Sequence, residues 1–597
     1  MSPRQLFSFS LFQGLVWCLA ALGYFYVSGF YTDPWGLLFT LLFVPAHLFM
    51  FAWLIGLLCF PVKWVGKRAL TTACVAAGGL FSFFLLADMV VFAQYRFHIG
   101  LSLLELFFGP AGREIFIFSW GMWLLIGFLA LLIIALEITL VRLSKKFTFS
   151  NKTLLILLGL WTLFFVAYNA TYAWGKFKMI PSVVAQQAVL PLAYPLSANR
   201  RLEKWGFTPS QRPYQLPHKG SLTYPLHPLT CSSSAPSKNI LIIMLDSWRA
   251  DTFTPQVMPK LSEWSQRPGM QVFTNHLSGG NSTIGGVFSL FYAVPHSYWD
   301  DFTSQQEPPI LITEALKRGY EPGIFASSSL SSPAFYRNVF SAIPNLRMGS
   351  SGKSSWARDI NAVDDFEKFL QTRNKQHPFF GFIFLDAPHA YEYPAEYTHF
   401  TPAKPMNYLL LNNRTDPTPY ANQYKNAVYF NDALIDRVLT LLEKQNLLSN
   451  TLVILTGDHG QELNDSHQNF WGHNSNFADY QTKVPFIVYD ASRTKQTSYN
   501  YRTSHHDVVP TLLQEVYGCT NPPADYALGR SLFDPTPRPL TVLAGHTEKV
   551  IRSGDDITVL NKFGSLNRYD NRLTPIQTPP DPEILKEGLK AFSRFYK

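Results

Sequence analysis

The sequence predicts a five-helix transmembrane domain followed by an α/β domain with a mainly parallel sheet between helices. Three observations carry that expectation. The 597 residues are too many for one core, and charges are scarce in the first 175 positions. Five apolar runs of spanning length fill that part. After it, short apolar runs alternate with helical patterns, the rhythm of βα units.

The apolar runs lie at about 6–30, 35–61, 69–93, 115–141 and 153–174. Each is close to or above the roughly 20 residues that a bilayer helix needs. The first is too long for a signal peptide and has no small-residue cleavage site near its end, so it reads as a retained anchor. Arg4, then Lys63, Lys67 and Arg68, then Arg142, Lys145, Lys146 and Lys152 mark the start and alternate short loops as cytoplasmic. An odd number of spans then puts everything after about residue 175 on the other side, the periplasm of a bacterium. Asp88 and Glu137 are costly in hydrocarbon and should face the bundle interior or an interface.

These assignments divide the chain into a transmembrane domain at 1–175, a juxtamembrane connector and linker at 176–237 and the α/β domain at 238–597. The linker is the Pro-, Ser- and Thr-rich stretch 208–237. Strands are predicted at Ile240–Leu245, Tyr320–Phe325, Phe379–Leu385, Leu452–Leu455 and Pro485–Tyr489, with a helical pattern over Asn426–Gln445. The last stretch reads as a small β and helical cap. The net charge of +9 owes much to the positive loops, and no basic patch suited to nucleic acid stands out. Cys231 and Cys519 lie in the exported part, where either a bridge or two free thiols would fit.

The chemistry sits at strand exits. Asp246 ends the run Ile240–Leu245, and Asp458 with His459 ends Thr451–Gly457. His389 follows Phe379–Leu385 in Leu-Asp-Ala-Pro-His, and His473 lies soon after Asp458. Carboxylates and imidazoles converging at one sheet edge suit a divalent metal such as zinc, manganese or magnesium. Between the first two runs, Gly279-Gly-Asn-Ser-Thr283 supplies a hydroxyl, Ser282 or Thr283, whose nucleophilicity a bound metal would raise. His276, His467, His505 and His506 are weaker candidates.

In the order Asp246, Ser282/Thr283, His389, Thr456-Gly-Asp-His-Gly460 and His473, the chain resembles the alkaline phosphatase superfamily. The branch is that of sulfatases, lipoteichoic acid synthases and phosphoethanolamine transferases. The resemblance implies a periplasmic domain of alkaline-phosphatase/sulfatase type. It implies one metal held by Asp246, Asp458, His459 and the nucleophile, with His389 and His473 lining a second metal or the phosphate. Thr283 matches the transferase nucleophile better, and Ser282 fits the other register. A formylglycine sulfatase is not expected, because that signature needs Cys or Ser followed by x-Pro-x-Arg, and Ser282-Thr-Ile-Gly-Gly lacks it. Phosphoethanolamine transferases usually carry several periplasmic disulfides, whereas these two cysteines allow one at most.

Leu190–Phe207, Gly280-Asn-Ser-Thr and Phe288-Ser-Leu-Phe-Tyr292 are similar to segments of the YejM (PbgA) family of inner-membrane proteins. That resemblance spans nearly the full length. It implies a regulator of lipopolysaccharide and outer-membrane lipid homeostasis that senses lipid A or an anionic phospholipid such as cardiolipin. A LapB-type adaptor linked to FtsH and LpxC would be its partner. Tyr194, Arg200 and Arg201 are the lipid-binding candidates, since arginines donate to phosphates and an aromatic ring suits the interface. The alternative is a metal-dependent phosphotransferase or phosphatase acting on lipid phosphoesters. Enteric members look degenerate at the Asp-His position, which this chain retains.

Overall fold

The computed structural model describes all residues except 96–97, 101–106, 108–117, 179, 208–221, 233–237, 562–565 and 597. Two compact units emerge, one built on the apolar N-terminal part and one on the remainder.

In the first unit, five helices are long and apolar enough to cross a membrane. They are α1 (Pro3–Ser28), α2 (Pro34–Cys59), α3 (Lys67–Tyr95), α4 (Trp120–Lys146) and α5 (Asn151–Phe177). Their starts follow local rules. Ser2 and Gln5 form a capping box on α1, Asp33 caps α2 ahead of Pro34, and Ser119 and Ser150 cap α4 and α5. Lys145 and Lys146 close α4, where cations meet the negative end of the helix dipole. Asp88 and Glu137 are both fully buried. Asp88 accepts from Tyr24 Oη at 2.8 Å and from the backbone N–H of Ile99 at 2.6 Å, and its other contact is His98 Nδ1 at 2.8 Å.

The expected connector packs on this bundle. Short helical turns at Pro181–Val184 and Asn199–Lys204 flank a segment seated on α2 and α5. Ser182 Oγ donates to Asp33 Oδ1 at 2.9 Å, Gln186 Nε2 to Gly36 O at 3.0 Å, and Leu196 N to Asn169 Oδ1 at 2.8 Å. His47 Nε2 lies 2.9 Å from Pro191 O. This collar buries Val183, Val189, Leu190 and Ala193 in the bundle core and leaves Tyr194 74%, Leu196 67% and Trp205 70% exposed.

The second unit is an α/β sandwich. Its strands are β1 (Asn239–Leu245), β2 (Met270–Phe273), β3 (Glu321–Ala326), β4 (Phe379–Leu385), β5 (Thr451–Gly457), β6 (Phe486–Tyr489) and β7 (Thr497–Tyr499). They lie in the order β7-β2-β6-β5-β1-β4-β3, and β6 alone runs against the others. Every residue of β1, β4 and β5 is buried. Alternation sends Ile240, Ile242 and Met244 into one core and Leu241, Ile243 and Leu245 into the other. Each such side chain stabilises the fold by about 1.5–3 kcal/mol. Helix α6 (Thr283–Tyr292) covers the first face, while α7 (Ser355–Thr372) and α8 (Thr418–Lys444) cover the second. Near the C-terminus, β8 (Thr541–Ala544), β9 (Lys549–Ser553), β10 (Asp556–Leu560) and β11 (Leu566–Tyr569) form an antiparallel sheet.

Within the described part of the expected linker, residues 222–232 belong to the α/β unit. Leu222 bridges Tyr596, Leu226 N donates to Asp525 O at 2.8 Å, and Cys231 is disulfide-bonded to Cys519. Leu222, Tyr224, Leu226 and Leu229 pack on the first core, which is why this Pro-rich stretch is ordered despite its composition.

Candidate active site

The adjacent parallel strands β5, β1 and β4 bring three loops to one edge. Asp246 leaves β1, Asp458 and His459 leave β5, and Asp386 and His389 leave β4. The strands fix these positions directly. Asp246 N donates to Leu385 O at 2.8 Å, and Asp458 N donates to Leu245 O at 3.3 Å. Ser247 adopts φ 64°, a left-handed conformation costing about 1–3 kcal/mol for a non-glycine residue. That turn aims Ser247 N at Asp458 Oδ1 (2.9 Å) and Ser247 Oγ at Asp246 Oδ1 (2.9 Å).

Thr283 opens α6 at this edge. Its Oγ1 lies 3.4 Å from Asp246 Oδ2 and 3.3 Å from His459 Nε2. The neighbouring Ser282 Oγ is buried and has no hydrogen-bond partner. The approach of α6 requires Gly286, because a Cβ there would lie 2.0 Å from the backbone oxygen of Asp458. Gly286 therefore serves contact with the segment leaving β5, whereas Gly285 packs against Gly280 and Ala544.

His459 Nδ1 donates to Gly460 O at 2.7 Å, which leaves Nε2 as an acceptor facing Asp458 Oδ2 (3.4 Å) and Asp246 Oδ1 (3.6 Å). Burial holds His459 down at about 3, so the ring is neutral. Burial, then the Asp458 carboxylate, raises Asp246 well above the usual range, and burial pushes Asp458 up to about 7. Burial opposes charge on His389, but the Asp246 and Asp386 carboxylates outweigh it and raise that group.

The donor atoms of Asp246, Asp458 and His459 lie within 4.8 Å of one another, as do those of Asp246, Asp386 and His389. Among the described residues, Asp458 Oδ2 has no hydrogen-bond partner. Clustered buried carboxylates and an unprotonated imidazole nitrogen fit a divalent cation. His473 stands beside both groups, its ring 4.4 Å from His459 and 5.3 Å from His389. Gln461 Oε1 accepts from His473 Nδ1 at 3.1 Å, and Gln461 Nε2 donates to Tyr391 Oη at 2.7 Å.

The structure thus gathers Asp246, Thr283, His389, Asp458, His459 and His473. Sequence reasoning passed over Asp386, Gln461 and their supports. Arg358 Nη2 pairs with Asp386 Oδ2 at 3.0 Å, and Asp359 accepts the backbone N–H groups of Asp386 and Ala387. Asp386 carried the same signal as Asp246, an acid ending a buried strand, whereas Gln461 carried none. Among the weaker candidates, His467 is exposed on a loop. His276, His505 and His506 are buried, with His276 stacked on Phe486 and His505 packed behind the site, its Nε2 3.4 Å from Thr456 Oγ1.

A parallel-stranded α/β unit with this acid, imidazole and hydroxyl edge is of sulfatase type. Residues 238–518 match the Sulfatase family, and residues 4–231 match a domain of unknown function, DUF3413. Over 613 aligned residues the chain is 26% identical to "Inner membrane protein YejM" of Salmonella typhimurium, covering 98% of this chain and 96% of that protein. An uncharacterized protein of Haemophilus influenzae is 28% identical over 382 residues, covering 62% and 57% of the two chains. Similar solved structures include an alkaline phosphatase superfamily protein from Vibrio parahaemolyticus, with 19% identity, TM-score 0.47 and coverage of 63% and 90%. The lipoteichoic acid synthase LtaP of Listeria monocytogenes is another, with 13% identity, TM-score 0.45 and coverage of 62% and 95%. Members of the superfamily use metal ions, in keeping with the donor set here. The protein is a membrane protein with a sulfatase-type α/β domain.

Proposed function

We propose that this protein is an inner-membrane regulator of lipopolysaccharide and outer-membrane lipid homeostasis. Its N-terminus is cytoplasmic, its α/β unit is periplasmic, and its collar binds lipid A or an anionic phospholipid such as cardiolipin. Full-length similarity to the YejM proteins supports this reading. So does the distribution of lysines and arginines among the loops. The observation that carries it is the collar itself, which holds Tyr194, Trp205 and Arg201 exposed on a membrane-embedded bundle. Aromatic rings seat at the headgroup level and guanidinium groups donate to phosphates there. Arg200 belongs to the same helical turn, and its side chain lies outside the described residues. A LapB-type adaptor linked to FtsH and LpxC is the partner that the family resemblance supports.

The test uses full-length protein in nanodiscs. Arg200→Ala with Arg201→Ala should weaken retention of lipid A or cardiolipin by about 30-fold, since each basic residue near a charged surface contributes about a factor of five. Asp458→Ala should leave retention unchanged. Equal retention by wild type and the arginine double variant would sink the reading.

A second activity, metal-dependent phosphotransfer or phosphoester hydrolysis, rests on the position of Thr283 Oγ1 between Asp246 and His459. A bound divalent ion supplies charge that offsets phosphate oxygens and favours the ionised hydroxyl. Thr283 Oγ1 attacks phosphorus while the bond to the leaving alcohol breaks, and Asp246 Oδ2 and His459 Nε2 are the acceptors within reach of the threonine proton. Attack by water or a second alcohol then frees Thr283. Gln461 holds His473 with Nδ1 as donor, which leaves Nε2 as an acceptor. Thr283→Ala should lower turnover of a lipid phosphoester by roughly 10³-fold or more, and Ser282→Ala by less than about tenfold. Comparable losses in both variants would remove Thr283 from the role.

A further inference from the structure

The transmembrane bundle contains a polar cluster of its own. Gln13 of α1, Ser82 of α3 and Glu137 of α4 meet in its interior, joined by Trp17. Gln13 Nε2 and Ser82 Oγ each donate to Glu137 Oε1 at 3.0 Å, and Trp17 Nε1 donates to Ser82 Oγ at 2.9 Å. Glu137 is 0% exposed and Gln13 1%. At 1.5 Å rise per residue, Glu137 lies about 14 Å along α4 from Lys146, deep within the span.

The donors serve only one carboxylate oxygen. Glu137 Oε2 and Gln13 Oε1 are both buried, and both lack a hydrogen-bond partner among the described residues. They also face the same place. A Cβ added at Gly78 of α3 would sit 2.7 Å from Glu137 Oε2 and 3.2 Å from Gln13 Oε1, so the glycine leaves a notch that both oxygens border. Among the described residues, no Lys, Arg or His forms an ion pair with Glu137.

Two lone-pair-bearing oxygens turned to one notch, one of them carboxylate, leave both a charge and two acceptors unsatisfied in a low-dielectric interior. A small positive ligand between them answers both deficits, and Gly78 keeps the notch clear of any side chain. We propose that Glu137 Oε2 and Gln13 Oε1 bind a monovalent cation, a proton or Na⁺, inside the bundle. Ser82 and Trp17 are positioning residues that fix Oε1 and turn Oε2 toward the notch. Because the ligands come from α1 and α4 and the notch from α3, cation occupancy is coupled to the packing of three spans.

The test is thermal unfolding of the full-length protein in zwitterionic nanodiscs, since a ligand of the folded state raises Tm with its concentration. Sodium is varied against choline at fixed ionic strength, and pH is varied separately. For a sodium site, wild-type Tm rises with Na⁺ and not with choline. For a proton site, wild-type Tm falls as pH rises and ignores Na⁺. Glu137→Gln should lose whichever dependence the wild type shows, and its amide N–H can donate to Gln13 Oε1 and so preserve packing. Gln13→Leu removes one ligand but keeps the carboxylate. It should shift the half-saturating Na⁺ concentration of a sodium site upward by roughly tenfold. The proposal is overturned if wild type and Glu137→Gln show the same dependence on both Na⁺ and pH.

Discussion

Asp458 illustrates how burial and a missing donor define a ligand. Its Oδ1 accepts the N–H groups of Ser247 and His459 at 2.9 and 2.8 Å, while Oδ2 has no hydrogen-bond partner. Burial moves its pKa from 3.8 up to about 7. An acid raised on folding binds more protons in the folded state, so its contribution to stability is present below 3.8 and is lost as pH rises through about 7. A divalent ion must displace that proton, so metal affinity should climb through the same window. His459, held at about 3, stays neutral and adds no slope there. Zinc or manganese titrations should give an affinity about tenfold weaker near pH 6 than near pH 8. A flat profile would remove Asp458 from the ligand set. Asp246, Asp458, His459 and His389 were legible because buried strands end where catalytic groups gather. Asp386 stood in the same motif but was read as the neighbour of a ligand. Gln461 was invisible, since a buried glutamine has no pattern until its partners, His473 and Tyr391, come together in three dimensions.

At the scale of elements, the helix carrying Thr283 depends on one close approach. Gly286 places α6 so that any Cβ would strike the Asp458 carbonyl at 2.0 Å, and that contact is backbone, which cannot swing aside. Gly286→Ala should therefore destabilise the protein by about 2–4 kcal/mol and weaken metal binding together with it, because the shift separates Thr283 from Asp458. Thermal unfolding and metal titration on one preparation check this, and an unchanged Tm would show that α6 is free to move. The strands flanking this helix were readable as runs of apolar residues, with β1, β4 and β5 matching expectation within a residue or two. Strand β2 and the edge strand β7 were not, because Met270–Phe273 and Thr497–Tyr499 are short and mixed in polarity. The reversed direction of β6 was equally hidden, since an apolar run has no direction written into it. Helix α8 begins at Thr418, eight residues before its apolar periodicity was recognised at Asn426, because Pro419 and the polar first turns mask the start.

At the scale of the whole molecule, composition separated the membrane-spanning part from the α/β part, but it misjudged how much chain is free between them. Proline and serine content suggested a tether over 208–237, yet residues 222–232 lie on the α/β unit. Four apolar side chains, Leu222, Tyr224, Leu226 and Leu229, cover the core there, and the bond from Cys231 to Cys519 fastens the segment. The two cysteines are 288 positions apart, so the bond closes a loop that includes all seven strands of the main sheet. Cross-links over long loops restrict the unfolded chain most, and a native bridge typically contributes about 2–4 kcal/mol. Cys231→Ser with Cys519→Ser should therefore lower the unfolding temperature of the α/β unit and open residues 222–232 to proteolysis, while metal affinity at Asp246 and Asp458 stays within about twofold because no ligand rests on that segment. Limited proteolysis with mass mapping reads the first outcome and metal titration the second. Protection of 222–232 in the double variant would show that apolar packing alone holds this segment. Loss of metal binding would instead mean that the bridge sets the geometry of the sheet edge.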